Sequence, residues 1–382
     1  MDLLDYSAFG ERMRRLGAHR PWPLGGTFEV TGRCPLRCRH CYNREPLTAR
    51  EQTEPPLTLA EQCRIVDELA AAGCVWLLFT GGEIFARPDF SELYIHARRR
   101  GLLITLFTSG VLVGEEIAAL LADFRPLRVE ITLCGSRAEI HDRVTGVPGS
   151  FDRCRQGIAR LQARGVPLAL KTTVTRDNAA DLPRIQALAE RELGLPHRFD
   201  AMLNGCLDVG GPALGLRLSA EQVVALDIDD TRRRRDWLDL VARCPVGAGE
   251  EPAAMTLYRC GAGIHSFAID PWGALKLCAL SRQPCYDLRR GSFEEGWQAV
   301  VRCRQRPAPA HWRCARCALR ATCESCPAVA DLEHGDAEVP SEFHCRVAQL
   351  RAQRLGLGVL LPGDCPDNLH DDGSQGAWSS HA

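Results

Sequence analysis

The segment Thr31-Gly-Arg-Cys34-Pro-Leu-Arg-Cys38-Arg-His-Cys41-Tyr42-Asn43 sets three cysteines in a C-x3-C-x2-C spacing. A loop this short can fold three thiolates around one face of an iron–sulfur cube, because the thiolate is the ligand form and cysteines hold such clusters. It supplies no fourth ligand from its own length. A [4Fe–4S] cluster held at three corners leaves one iron open, and an open metal position is where chemistry happens, as in catalytic zinc sites. The alternative is a structural zinc knuckle. That needs a fourth ligand, and His40 adjoins Cys41, which makes the two awkward as co-ligands.

The 382 residues hold nineteen cysteines, and residues 1–25 lack an apolar signal core. The expected compartment is the cytoplasm, where that cysteine density points to metal rather than disulfides. Before residue 260 the cysteines outside the first loop are isolated: Cys63, Cys74, Cys134, Cys154, Cys206 and Cys244. Nine lie between Cys260 and Cys345, four of them within 314–326, and that shift marks a second domain. A net charge of −1 gives no whole-chain pull toward nucleic acid or an anionic membrane. No apolar run reaches the roughly 18 residues of a spanning helix.

Apolar runs predict strands at Phe28–Thr31, Val75–Thr80, Leu102–Thr108, Leu127–Leu133, Leu168–Val174 and Arg198–Leu203, with helical patterns between them. The alternation implies repeated βαβ units and a parallel sheet. Six repeats fall short of the eight that close a full barrel. The continuous apolar runs of the second and third strands read as buried on both faces. Thr58-Leu-Ala-Glu61 and Ser219-Ala-Glu-Gln222 are capping boxes, and Ser150 or Asp152 is expected to cap the helix from Phe151. Function in such sheets collects at the C-terminal strand ends. There lie Thr80-Gly81-Gly82-Glu83, Thr108-Ser109-Gly110, Cys134 (read as a buried thiol) and Lys171 with Thr173. The last two alternate toward the barrel interior or join a polar network behind it. Arg232–Arg235 reads as a solvated helix face, with docking of an acidic peptide leader as the alternative.

Together these motifs resemble the radical S-adenosylmethionine (SAM) superfamily, whose loop carries an aromatic residue after the third cysteine, here Tyr42. The resemblance implies a partial (β/α)6 TIM-type barrel of the α/β class. It implies that the open iron chelates the amino and carboxylate groups of SAM and cleaves it reductively to a 5′-deoxyadenosyl radical. Gly81, Gly82 and Glu83 match the motif that binds the SAM amino group. Ser109 stands where the family has Asn, and Cys134 where it often has Asp. Arg143 is the candidate for the SAM carboxylate, since a guanidinium matches a carboxylate in a fork.

His141-Asp142-Arg143-Val-Thr145-Gly146-Val-Pro-Gly149-Ser150-Phe151 is similar to a segment of the SPASM subgroup of peptide-modifying enzymes, with His141 expected as a structural hydrogen-bonder. Cys260-x12-Gly273-x4-Cys278, then Cys314-x2-Cys317-x5-Cys323-x2-Cys326 and Cys345, resembles the seven-cysteine SPASM domain and its two auxiliary [4Fe–4S] clusters. The subgroup has three residues, not two, between the cysteines matching Cys323 and Cys326. Carried over by position, Cys314, Cys317, Cys323 and Cys345 hold one cluster. Cys260, Cys278 and Cys326 hold the other, with Cys244, Cys285 or a substrate as the fourth ligand. Without the upstream loop, paired C-x2-C motifs bind zinc as readily.

The expected division is a lead-in at 1–26, a radical SAM core at 27–205, a bridge at 206–259, a SPASM domain at 260–350 and a disordered tail at 351–382. The function implied is hydrogen abstraction from a peptide, forming a thioether or carbon–carbon crosslink. The rivals are a peptide epimerase using Cys206 or Cys285, a small-molecule dehydrogenase and a haem-pathway enzyme. Ala279 after Cys278 counts against sulfatase-type maturation. A non-enzymatic iron–sulfur or zinc carrier is the reading of another class, opposed by Gly81–Glu83. The expected partners are a peptide substrate, a separate leader-binding protein and a flavodoxin or ferredoxin, with neither nucleic acid nor membrane. The pattern names no catalytic base.

Overall fold

The computed structural model describes residues 20–42, 50, 53–208, 211–243 and 256–357. The expectations for most of the lead-in, for Cys244 and for the tail beyond 357 lie outside them. Six parallel strands carry the first half: β1 (Gly25–Glu29), β2 (Trp76–Thr80), β3 (Leu103–Thr108), β4 (Arg128–Thr132), β5 (Leu168–Thr173) and β6 (His197–Asp200). Between them run α1 (Leu59–Ala71), α2 (Phe90–Arg99), α3 (Glu115–Asp123), α4 (Ala138–Thr145), α5 (Ser150–Ala163) and α6 (Leu182–Ala187). The strands pair in sequence order, and β6 does not return to β1. The barrel is therefore partial.

The outer edge of β1 is taken by β7 (Ser266–Ile269), in parallel, followed by β8 (Ala274–Lys276) and β9 (Tyr286–Asp287), both antiparallel. The β7–β8 hairpin thus extends the barrel sheet to nine strands. Gly26 explains the fit. A side chain there would lie 2.3 Å from the Phe267 ring, so the aromatic of β7 packs on bare backbone.

The reading of β2 and β3 as buried on both faces needs correction. Leu77, Phe79, Ile104 and Leu106 are sealed under the helices, but Leu78, Thr105 and Phe107 on the other face are only half-buried. A closed eight-stranded barrel fills its interior with layers of side chains. This open one leaves space.

Both capping boxes form, at Thr58 for α1 and at Ser219 for α7 (Ala220–Ile228). Neither Ser150 nor Asp152 caps α5. Asp142 does so from α4, a helix the sequence pattern did not show: its carboxylate accepts the amides of Gly149 at 2.6 Å and Phe151 at 2.8 Å, and the Ser150 hydroxyl. Two cores result. The first runs under barrel and hairpin through Phe28, Phe79, Phe267 and Phe293, the last on α9 (Phe293–Arg304). The second joins α7 and α8 (Thr231–Arg243) to α11 (Glu342–Leu355), beyond the short α10 (Pro327–His334). Among the described residues no helix is long and apolar enough to cross a membrane.

Candidate active site

The C-terminal ends of the six parallel strands surround a cavity of about 420 Å³. Cys34, Cys38 and Cys41 line it, as do Gly81, Gly82 and Ser109. Three of the motifs singled out in the sequence therefore face one space. The thiols converge there. Burial first, and then the negative potentials of Cys134, Cys41 and Cys34, push the Cys38 thiol well above its ordinary value. Coordination would reverse that shift, because a metal-bound thiol is deprotonated outright. His40 lines the same wall with its Nδ1 buried and unpartnered. Converging soft donors and an orphaned buried nitrogen fit an iron–sulfur cluster on this loop.

The loop is held from both sides by backbone. The Gly82 amide donates to the Thr31 carbonyl at 2.9 Å and the Glu83 amide to the Arg33 carbonyl at 2.8 Å. Opposite, the amides of Arg37 and Arg39 donate to the carbonyls of Thr145 and Val144, which end α4. The segment His141–Phe151 thus serves the cysteine loop structurally. Its histidine, drawn down to about 4 by burial, stays neutral and accepts the Cys134 amide at 3.2 Å.

Gly82 has no room for a side chain: a Cβ would stand 2.3 Å from the Arg33 carbonyl oxygen, a backbone atom. We expect Gly82→Ala to displace the cysteine loop, costing about 1–3 kcal/mol as overpacking does. Chemical denaturation and the iron content after reconstitution measure both effects.

Glu83 lies behind the glycines, 1% exposed. Its Oε1 accepts the Thr108 hydroxyl at 2.6 Å, and its Oε2 accepts both the amide (2.8 Å) and the hydroxyl of Ser109. It ties β2 to β3 and is not among the lining residues. Arg143 also stands away from the cavity. It is exposed, and its guanidinium donates to the Asp177 carbonyl at 2.8 Å. Cys134 does line the cavity, and burial pushes its thiol up to about 12.

The structure adds charged groups whose placement the sequence left open. The Lys171 ammonium sits 2.9 Å from the centre of the Phe107 ring, and both line the cavity. Arg198, beside them, pairs with Glu130 at 2.5 Å. Burial, outweighing the attraction of Glu130, lowers Lys171 from 10.5 to about 7. The unfolded chain keeps this proton up to its ordinary value, so in that window the unfolded state binds more protons. Stability must then rise with pH. Between pH 7 and pH 9 this contributes about 2 kcal/mol. Buried thiols such as Cys134 shift stability the opposite way over this range, so the Lys171 part is read as a difference: wild type should gain about 2 kcal/mol relative to Lys171→Met between pH 7 and pH 9 in denaturant titrations. Tyr42 donates to the Glu29 carboxylate at 2.8 Å and lies within electrostatic reach of both Cys41 and Cys278.

Residues 28–188 match the Radical SAM superfamily. The mycofactocin maturase MftC of Mycobacterium ulcerans is 30% identical over 308 residues, 75% of this chain and 78% of that protein. The chain belongs to the radical SAM superfamily. AdoMet-dependent heme synthase of Oleidesulfovibrio alaskensis is 28% identical over 331 residues, 79% of this chain and 81% of the relative. Some matches are partial. PqqA peptide cyclase of Rhodopseudomonas palustris is 39% identical over 168 residues, and the match spans 44% of each chain. The match to Fe-coproporphyrin III synthase of Methanosarcina barkeri spans only 40% of that protein. Among solved structures, native anSMEcpe with bound AdoMet and Cp18Cys peptide superposes with a TM-score of 0.63 at 15% identity, over 88% of this chain and 97% of that one. Streptococcus suis SuiB bound to the precursor peptide SuiA gives 0.60 at 16% identity, over 91% and 82%. At such identities these two show the fold, a radical SAM barrel with a SPASM-type extension.

In this radical SAM chain the C-terminal cysteines fall into two neighbourhoods. Burial and then Cys326 and Cys260 raise Cys278 to about 11. Burial and then Cys345 and Cys317 raise Cys314 to about 11, while Cys323 lies in reach of Cys317 and Cys314. Cys278 thus has Cys260 and Cys326 as electrostatic neighbours, and Cys314 has Cys317 and Cys345. None of the seventeen described cysteines is in a disulfide. Among the described residues, no three His, Cys, Asp or Glu side chains close tightly on a single ion. A four-iron cube spreads its ligands wider than one ion does.

The cysteine-rich half also covers the first loop. The Leu207 amide donates to the Tyr42 carbonyl at 2.8 Å, Arg282 donates to the Leu207 carbonyl, and Leu280, two residues past Cys278, lines the cavity.

Proposed function

We propose that this radical SAM enzyme matures a ribosomally made peptide, forming a thioether or carbon–carbon crosslink. The convergence of the Cys34–Cys41 loop with Gly81, Gly82 and Ser109 on one cavity supports the reading most. Cys34, Cys38 and Cys41 would hold the SAM-binding cluster. Cys314, Cys317, Cys323 and Cys345 would hold one auxiliary cluster, and Cys260, Cys278 and Cys326 the other. Bound at this loop, the cluster supplies the electron that breaks SAM into methionine and the 5′-deoxyadenosyl radical.

The chain's own part is to bind, orient and exclude. Gly81 and Gly82, whose missing side chains leave room for the Thr31 and Arg33 carbonyls, hold the cysteine loop beside the SAM space, with Glu83 fixing the neighbouring strand ends. Ser109 and Lys171 then offer a hydroxyl and a cation at the rim. A cavity of about 420 Å³ takes one cofactor-sized ligand. The substrate must then reach in from outside, as a peptide segment can. Arg232, Arg234 and Arg235 on α8 are exposed, and Arg233 lies 4.2 Å over the cavity-lining Phe199. That face suits an acidic leader, presented alone or by a leader-binding protein. A cytoplasmic flavodoxin or ferredoxin would supply the electron.

The second reading is a haem-pathway or other small-molecule enzyme, favoured by the extent of the heme synthase match. Reconstituted enzyme with SAM, reductant and a peptide encoded beside the gene decides between them. Peptide maturation predicts a peptide lighter by two hydrogens with matching 5′-deoxyadenosine. Turnover of an iron porphyrin carboxylate with no change in any peptide would contradict it.

A further inference from the structure

The auxiliary set of Cys260, Cys278 and Cys326 is one ligand short of a closed four-iron cube, and the structure points to its completion. Cys278 follows β8 by two residues, and Cys285 immediately precedes β9. The loop between them is closed at its base by pairing of Leu275 with Tyr286 and by the Cys285 amide donating to the Leu275 carbonyl at 2.8 Å. One hairpin loop therefore delivers both thiols from its two sides. Cys285 lies within electrostatic reach of Cys278 and is half-buried.

Its sulfur is prepared as the ligands' are. Backbone amides donate to the sulfurs of Cys278 (from Leu280 and Ser281), Cys323 (from Ser325) and Cys326 (from Ala328 and Val329). The Leu277 amide does the same for Cys285. Hydrogen bonds to sulfur orient a cluster thiolate and tune its iron. The competitor is Tyr258, which feels both Cys278 and Cys326. A phenol is a harder ligand than a thiol, and soft thiolates are what iron–sulfur clusters select.

We infer that Cys285 is the fourth ligand of the auxiliary cluster held by Cys260, Cys278 and Cys326. The inference rests on the two-auxiliary-cluster reading above. It makes this cluster fully protein-ligated, suited to passing electrons rather than binding substrate.

The test uses full-length protein reconstituted anaerobically, with Cys34, Cys38 and Cys41 all changed to Ala so that only auxiliary iron is seen. Iron, sulfide and the electron paramagnetic resonance spectrum of the reduced protein are compared with and without Cys285→Ala and Tyr258→Phe. Circular dichroism confirms that each variant is folded. Cys285→Ala is expected to lose one cluster's iron or to change one of the two auxiliary signals, while Tyr258→Phe leaves both in place. Unchanged iron and unchanged signals in folded Cys285→Ala overturn the inference, as does a signal that changes only in Tyr258→Phe. If the parent protein holds no auxiliary iron at all, the cluster reading itself fails, and that outcome is visible before any Cys285 variant is made.

Discussion

Cys38→Ala protein, reconstituted and given SAM with a strong reductant, is expected to release 5′-deoxyadenosine at least about 100-fold more slowly than wild type. Loss of a partner that merely orients a metal ligand already costs 10–100-fold, so loss of a ligand costs no less. Cys38 is the informative choice because its thiol sits among those of Cys34, Cys41 and Cys134. Its neighbour Cys134 provides an internal contrast. It lines the same cavity but lies outside the C-x3-C-x2-C spacing, and Cys134→Ser should retain the cluster's iron. The control is Cys63→Ala on α1, a helix of the outer layer, which should leave the rate unchanged. Product quantified by liquid chromatography over the first turnovers gives the answer. A Cys38→Ala rate within a few-fold of wild type would remove the loop from the chemistry.

The largest stability effect is expected at Arg351. This side chain on α11 is 0% exposed. It donates to Asp227 at 2.6 Å, to the Thr322 carbonyl at 2.6 Å and to Glu324 at 2.8 Å, and it lies 3.8 Å over the Trp237 ring. One guanidinium thus joins α7, α8 and the Cys323–Cys326 turn. Removing one partner of a buried pair leaves charge behind, at about 3–5 kcal/mol. Arg351→Met should show that loss in denaturant titrations. Arg233 still pairs with Asp227 at 2.6 Å, which sets the loss at the lower end of the range. Glu324 lies between Cys323 and Cys326, so the variant should also hold less iron.

The site was legible in the sequence where short motifs carry their own chemistry. The cysteine spacings and the Gly81–Gly82 turn were such motifs, and strand and helix periods placed them at the right end of a parallel sheet. What was not legible depends on partners far apart in the chain. The pairing of β7 with β1 is fixed by Phe267 packing on Gly26, 241 positions away, and no local pattern reports it. The cap on α5 comes from Asp142 in a helix with only a short apolar stripe. Lys171 and Thr173 stayed open between the barrel interior and a polar network behind it, because the Phe107 ring under the ammonium belongs to a strand two places along the sheet. Glu83 and Arg143 show the converse: their motifs are local, and their side chains are engaged by Ser109 and Asp177, which spacing does not specify.

The most direct test of the three-cluster account is the iron and acid-labile sulfide content of anaerobically reconstituted wild-type protein, read with its Mössbauer spectrum. The account predicts about twelve iron and about twelve sulfide per chain, all in [4Fe–4S] form. About four iron, with zinc on the cysteines from 260 to 345, would contradict it.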